Sequence, residues 1–420
     1  MANSRSQPNT PIAVGFQGGA MLGGYLWGMA AQIAEHWTNA EICVGGGTSI
    51  GGATAISLVK GLTLADKHPV LSQKRLVARQ TIDDFWNQFS SYLQEKQNHV
   101  LADSLVHHAL SKAEDLMRCW GTASISMLRI PTGGFMEGMS DSFRHASQFL
   151  NPQNHSLVGY SIMGRFLESS KIFDFDQIAG SMVGLFLNAT DVSINTNPFS
   201  AAPHQEQIFS NRQHNRLWLP ITQQAVEATG NLPYVEARPT QINERRYRDG
   251  AFVSNPPLLQ LAAEADRQGI RDVVVLRTRP TNSLADERIM PPVTQNHTRA
   301  FFNGKTDDHV MEIARAFPKM RIWVIEPSRL EIDKDAGTDM QKVEFDYSSA
   351  TLAKRRTIGF NAAAAAQKAF NDPQNRASGV YIVSSEEVRY LNPFVDRFAI
   401  ARDATQGTAR SGRGLLDARA

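Results

Sequence analysis

One serine of this chain stands between glycines in the pattern GxSxG, read as Gly47, Thr48, Ser49, Ile50 and Gly51. A serine hydroxyl becomes a useful nucleophile only when a base takes its proton and backbone N–H groups hold the charge that develops on the attacked carbonyl. Between a strand and a helix, GxSxG permits a strained turn that holds the hydroxyl at the carboxyl edge of a sheet and at a helix N-terminus. A second glycine run, GGAMLGG over 18–24, offers backbone amides for the oxyanion through Gly18, Gly19 and Ala20. Taken alone, the GxSxG string is equally consistent with chance in a glycine-rich turn, and close helix–sheet packing is the lesser alternative for GGAMLGG. A phosphate-binding reading is weaker for both. Gly18, Ala20 and Gly23 miss the middle glycine of a dinucleotide fingerprint, Gly45, Gly47 and Ile50 miss its last, and neither loop has the lysine before a Ser or Thr that a nucleotide loop requires.

The nucleophile needs a base. The eleven histidines stand in ordinary contexts, His107 and His108 in a helical pattern and His297 and His309 in a variable connector, and read as solvated or packed side chains. Asp249 is better placed. In RDGAFVSNPP it follows a strand, and Asp-Gly opens a turn that can hold the carboxylate against a serine across a sheet edge. Standing alone, it would be an ordinary Asp-Gly turn.

The elements that must position these residues are legible in part. PIAVGFQ (11–17) reads as a buried strand feeding the first glycine loop and then the helical pattern YLWGMAAQIAEHW. EICVGG, GTSIGG and ATAISLVKGL repeat that order of strand, turn and helix, and two such units in tandem predict a mainly parallel sheet covered by helices. Residues 75–170 are mostly helical in pattern, interrupted by PTGG at 131–134. Residues 182–195, 271–278 and MRIWVIEP predict further strands, 241–252 a strand ending in a loop, 308–317 a short helix, and Ser348 or Ser349 the start of another. The expected organisation is a disordered N-terminus (1–10), a main domain (11–285), an α/β extension packed on it (286–371) and a flexible tail (372–420).

Composition bounds the function. With 420 residues, 42% of them hydrophobic, the chain can bury a large core. A net charge of +2 supplies no field that would gather nucleic acid. Two cysteines, Cys43 and Cys119, are too few for a disulfide framework or a zinc site, and Cys43, at the end of an apolar run, is expected to be buried packing. The polar start MANSRSQPNTP lacks the apolar core of a signal peptide, and nothing later approaches the ~18 consecutive apolar residues of a membrane span. A cytoplasmic protein that meets lipid only peripherally is therefore expected.

GGAMLG, then GTSIG, then DGA some 200 residues on is an order that resembles the patatin-like phospholipases of bacteria. The likeness takes in DDFWNQFS, FDFDQIAGSMVGLFLNATDV, NLPYVEARP and SNPPL, covering 11–280, while FDYSSATLAKRRTIGFNAA (345–363) looks like the C-terminal segment of some bacterial members. What the resemblance implies is a patatin-like α/β fold with a C-terminal α/β extension, and a serine acyl hydrolase acting on phospholipids or other lipid esters without a metal or cofactor. It assigns Ser49 as nucleophile in the elbow of Gly47 and Gly51, Asp249 as base in a dyad without histidine, and Gly18, Gly19 and Ala20 as the oxyanion loop. Ala20 stands where the family has its third glycine, and Met21 and Leu22 occupy positions where a basic residue is frequent. The competing readings are a thioesterase or acyltransferase using the same dyad, and an inactive lipid-binding scaffold. Oligomeric state is not legible.

Overall fold

The structure is a computed structural model that describes residues 9–66, 68, 70–101, 161–194, 205–212, 215–232, 238–280, 293–328, 330–332 and 348–394. Cys119, His107, His108, the PTGG run, the first eight residues and the stretch from 395 onward lie outside these.

The chain opens with the two tandem units: β1 (Thr10–Phe16) and α1 (Gly23–His36), then β2 (Ala40–Gly47) and α2 (Ile50–Ala65). The long α3 (Leu71–Leu101) and the short α4 (Ile162–Ser170) and α5 (Phe175–Ala179) precede β3 (Gly184–Asp191). Then come β4 (Gln205–Ser210), α6 (Gln223–Thr229), the hairpin β5 (Thr240–Ile242) and β6 (Arg245–Asp249), α7 (Leu258–Arg267) and β7 (Asp272–Leu276). The last elements are α8 (Val293–Ala316), β8 (Arg321–Ile325), α9 (Ser349–Asn371), β9 (Gly379–Val383) and β10 (Val388–Leu391).

The ten strands of the described residues join one sheet in the order β10-β9-β8-β7-β1-β2-β3-β6-β5, with β4 also paired to β3. The run from β9 to β3 is parallel, and antiparallel pairs finish both ends. The expected mainly parallel sheet flanked by helices therefore forms.

Alternation along the strands divides the core between the two faces. Ile12, Val14, Phe16, Val274, Leu276, Trp323 and Ile325 pack with α1, α2, α3 and α9 on one face. Ala13, Val44, Val273, Val275, Ile322 and Val324 meet α7 and α8 on the other. On the first face α1 and α9 cross at glycines. A Cβ added at Gly28 would fall on the Arg356 carbonyl, and one at Gly359 on the Tyr25 carbonyl, so the two backbones touch.

Three expectations change. The flexible tail expected from residue 372 instead carries β9 and β10, which extend the sheet beyond β8, and all five residues of β9 are buried. The stretch 241–252 is two strands rather than one, because Asn243 takes φ 55 and closes the turn between β5 and β6. Cys43 is half-buried rather than enclosed, its Sγ directed to the Glu41 carbonyl.

Candidate active site

β1 and β2 run parallel and end level, Phe16 beside Gly47, so the two glycine loops leave the same carboxyl edge side by side. At the end of β2 the backbone reverses sharply into α2. Ser49 carries the turn with φ 56 and ψ −131, a conformation an L-residue adopts only when its surroundings enforce it. They do so here by closeness: a Cβ at Gly47 would strike the Gly51 carbonyl, and one at Gly51 the carbonyl of Phe16. Ser49 sits at the N-cap of α2 but its hydroxyl makes no cap bond. Its own N–H donates instead to Thr229 Oγ1 at 3.0 Å.

Strand register brings the carboxylate across. In β3, Leu187 lies beside Gly47 of β2, and Ala189, two rows further on, lies beside Asp249 of β6. β4 takes the opposite edge of β3, so β2 and β6 follow one another along a single edge; Ser49, two residues past Gly47, thus comes up to Asp249 on the same side of β3, and the Ser49 hydroxyl hydrogen-bonds the Asp249 carboxylate. The main chain of Asp249 is held at both ends, its N–H by the Asn231 carbonyl at 2.9 Å and its C=O by Thr190 Oγ1 at 2.7 Å. Its side chain accepts from the Ala251 N–H at 2.8 Å. Burial disfavours the charged form and pushes this carboxyl from 3.8 up to about 7, with the Ala251 and Ser49 hydrogen bonds opposing the rise.

The first glycine loop departs from the expected donor set in one respect. The Gly18 N–H is already committed to Asn255 Oδ1 at 2.6 Å, and Asn255 Nδ2 returns a bond to the Gly18 carbonyl at 3.3 Å. Gly18 is buried, its Cα side facing Ser49, whereas Gly19 and Ala20 are half-buried. Ala20 has φ 48, the left-handed region that a glycine there would enter without strain. The turn then closes through the Leu22 N–H on the Gly19 carbonyl and leads into α1.

Residues the sequence reading did not single out complete the surroundings. Asn255 is fixed by Thr306 Oγ1 of α8, which donates to its carbonyl at 2.5 Å and accepts from Gln17 Nε2 at 2.8 Å. Thr48, just before the nucleophile, donates to Asn188 Oδ1 at 2.5 Å. Asn188 Nδ2 in turn donates to Ser254 and to Glu206, whose carboxyl burial also pushes up. Of these, only Asn255 and Ser254 had a sequence signal, as part of SNPPL. Among the described residues no histidine hydrogen-bonds Ser49 or Asp249, and no group of three or more His, Cys, Asp or Glu is placed to hold a metal ion. Nor, among them, is any helix long and apolar enough to cross a membrane.

No family model matches the chain, and no curated protein does. Among solved structures, VipD from Legionella pneumophila is similar over 86% of this chain and 67% of its own, at 12% identity and a TM-score of 0.34, a likeness too slight to argue from. What this chain does must therefore be read from the mixed α/β sheet and from the serine and aspartate at its carboxyl edge.

Proposed function

We propose that this protein is a serine acyl hydrolase of patatin-like type that cleaves ester bonds of phospholipids or related lipids through Ser49 and Asp249. The observation that carries the reading is the pairing itself, a serine on a strained strand-to-helix turn hydrogen-bonded to a buried carboxylate brought from 200 residues away. Ionised Asp249 takes the proton of Ser49 as Oγ bonds to the ester carbonyl carbon. The Gly19 and Ala20 N–H groups, with the N-terminus of α2 behind them, stabilise the oxyanion, and Gly18, locked to Asn255, serves as their anchor. Collapse breaks the bond to the alcohol oxygen, which receives the proton from Asp249. Water then attacks the acyl-serine, gives its proton to the same carboxylate, and releases the acid as that proton returns to Ser49.

The lipid assignment rests on the sequence resemblance, and peripheral contact with a bilayer is proposed with it. A thioesterase or acyltransferase would use the same residues; product analysis on a mixed lipid extract separates them. The decisive experiment is labelling with an alkyl fluorophosphonate. Wild-type protein is expected to be labelled at Ser49, Ser49→Ala to lose both label and turnover with its fold intact, and Asp249→Asn to lose roughly 10²–10⁴-fold in kcat. Labelling that survives Ser49→Ala overturns the proposal.

A further inference from the structure

The C-terminal end of α6 is pinned against the nucleophile by the Ser49 N–H bond to Thr229. The next residue, Gly230, is half-buried and has φ −112 and ψ 11, a backbone conformation open to any L-residue. The lack of a side chain there is therefore not a demand of the turn. Nor is it a demand of packing: a Cβ built at Gly230 would meet Ser49 Oγ at 3.7 Å, Ser49 Cα at 3.9 Å and the Val226 carbonyl at 4.0 Å, all ordinary contacts. Gly18 and Gly19 differ in this. A Cβ there would press on the Thr48 carbonyl at 2.9 Å and on Thr278 Oγ1 at 2.5 Å. Folding accounts for those two glycines, whereas at Gly230 the nearest side chain that an added methyl would meet among the described residues, chain neighbours aside, is the nucleophile.

The directions around Ser49 Oγ can be assigned on the proposed reaction. The oxyanion points to Gly19 and Ala20, and the leaving alcohol oxygen must face Asp249 to receive its proton. The acyl chain takes the direction that is left. We infer that Gly230 is a specificity-determining residue whose missing side chain accommodates the acyl carbons next to the scissile carbonyl, so that the site accepts esters substituted at the α-carbon. This rests on the acyl hydrolase reading above.

The test compares p-nitrophenyl butyrate with p-nitrophenyl isobutyrate, and a secondary-alcohol butyrate with its primary isomer, in the wild type, Gly230→Ala and Gly230→Val. Both variants are expected to melt with the wild type. Gly230→Ala is expected to lower kcat/KM for isobutyrate about tenfold more than for butyrate, and Gly230→Val to widen that gap, since one methyl group in an apolar site discriminates by ~10–200-fold. Secondary and primary butyrates should fall together. Equal losses on straight and branched acyl chains, or a loss that follows the alcohol instead, overturn the inference while Ser49 labelling leaves the hydrolase reading standing. Failure of the wild type to label at Ser49 overturns both.

Discussion

Asp249 ties activity and stability to the same proton. Its carboxyl is held up at about 7 by burial, so it accepts a proton from Ser49 only above that pH. Turnover is expected to rise with pH through a midpoint near 7 and to stay high on the alkaline side, as a pH profile of kcat/KM on a neutral ester would read. The linked effect on folding has the opposite sign. A group whose folded pKa exceeds its unfolded value of 3.8 favours the native state while it is protonated, and that contribution fades as the pH climbs to about 7. Asp249→Asn, neutral at every pH, is therefore expected to melt higher than the wild type at pH 8 and to lose that advantage towards pH 4, seen by thermal unfolding at both. A variant that is less stable at pH 8 would mean that the Ala251 and Ser49 hydrogen bonds to the charged carboxylate outweigh its burial.

At the scale of the element, the two glycine loops differ in what they tolerate. Ala20 at φ 48 carries left-handed strain of ~1–2 kcal/mol, and glycine in its place would relieve this while adding up to ~1 kcal/mol of unfolded-chain entropy. Ala20→Gly is thus expected to leave stability unchanged or raise it by up to ~1–2 kcal/mol, and Ala20→Val, β-branched in the same region, to cost ~2 kcal/mol or more, measured by denaturant unfolding. Gly51→Ala is expected to be worse, because its methyl meets backbone at Phe16 that has no room to shift. These loops were readable because glycine is a local signal: the strand, loop and helix order around Ser49 and around Gly18–Ala20 stands in the sequence much as it stands in the fold. The commitment of the Gly18 amide to Asn255 was not readable, since it joins residues 237 apart through a side chain whose direction no local pattern encodes. β4 escaped for another reason. Its QEQIFS is polar at the start and pairs antiparallel along an edge, so only Ile208 and Phe209 carry an apolar signal.

For the whole molecule, the C-terminal third is part of the sheet rather than an addition to it. The chain around GVYIV looked loose because its flanks are polar, yet Tyr381 stacks on Trp323 at 4.4 Å and β9 covers the edge of β8. Truncation after residue 372 is accordingly expected to bare that edge and yield aggregated or unfolded protein, read by size-exclusion chromatography and circular dichroism. A soluble, folded fragment would show that β7 and β8 close the sheet unaided. The Asp249 side of the site depends on a different kind of distance, because its approach to Ser49 came from the register of β2, β3 and β6; the Asp-Gly turn alone offered it as a candidate, and the family resemblance tied it to Ser49. The backbone contact of α1 with α9, made at Gly28 and at Gly359, sets a schedule as well as a shape. On the ribosome, the helix that carries the first glycine loop emerges well over 300 residues ahead of the helix it must lie against, a wait of tens of seconds at ~5–20 residues per second. β1 likewise waits for β7 before both its neighbours exist. The serine is synthesised early, but the surface that seats the loop beside it arrives near the end, so a nascent chain of this protein is expected to carry its nucleophile long before it can cleave anything.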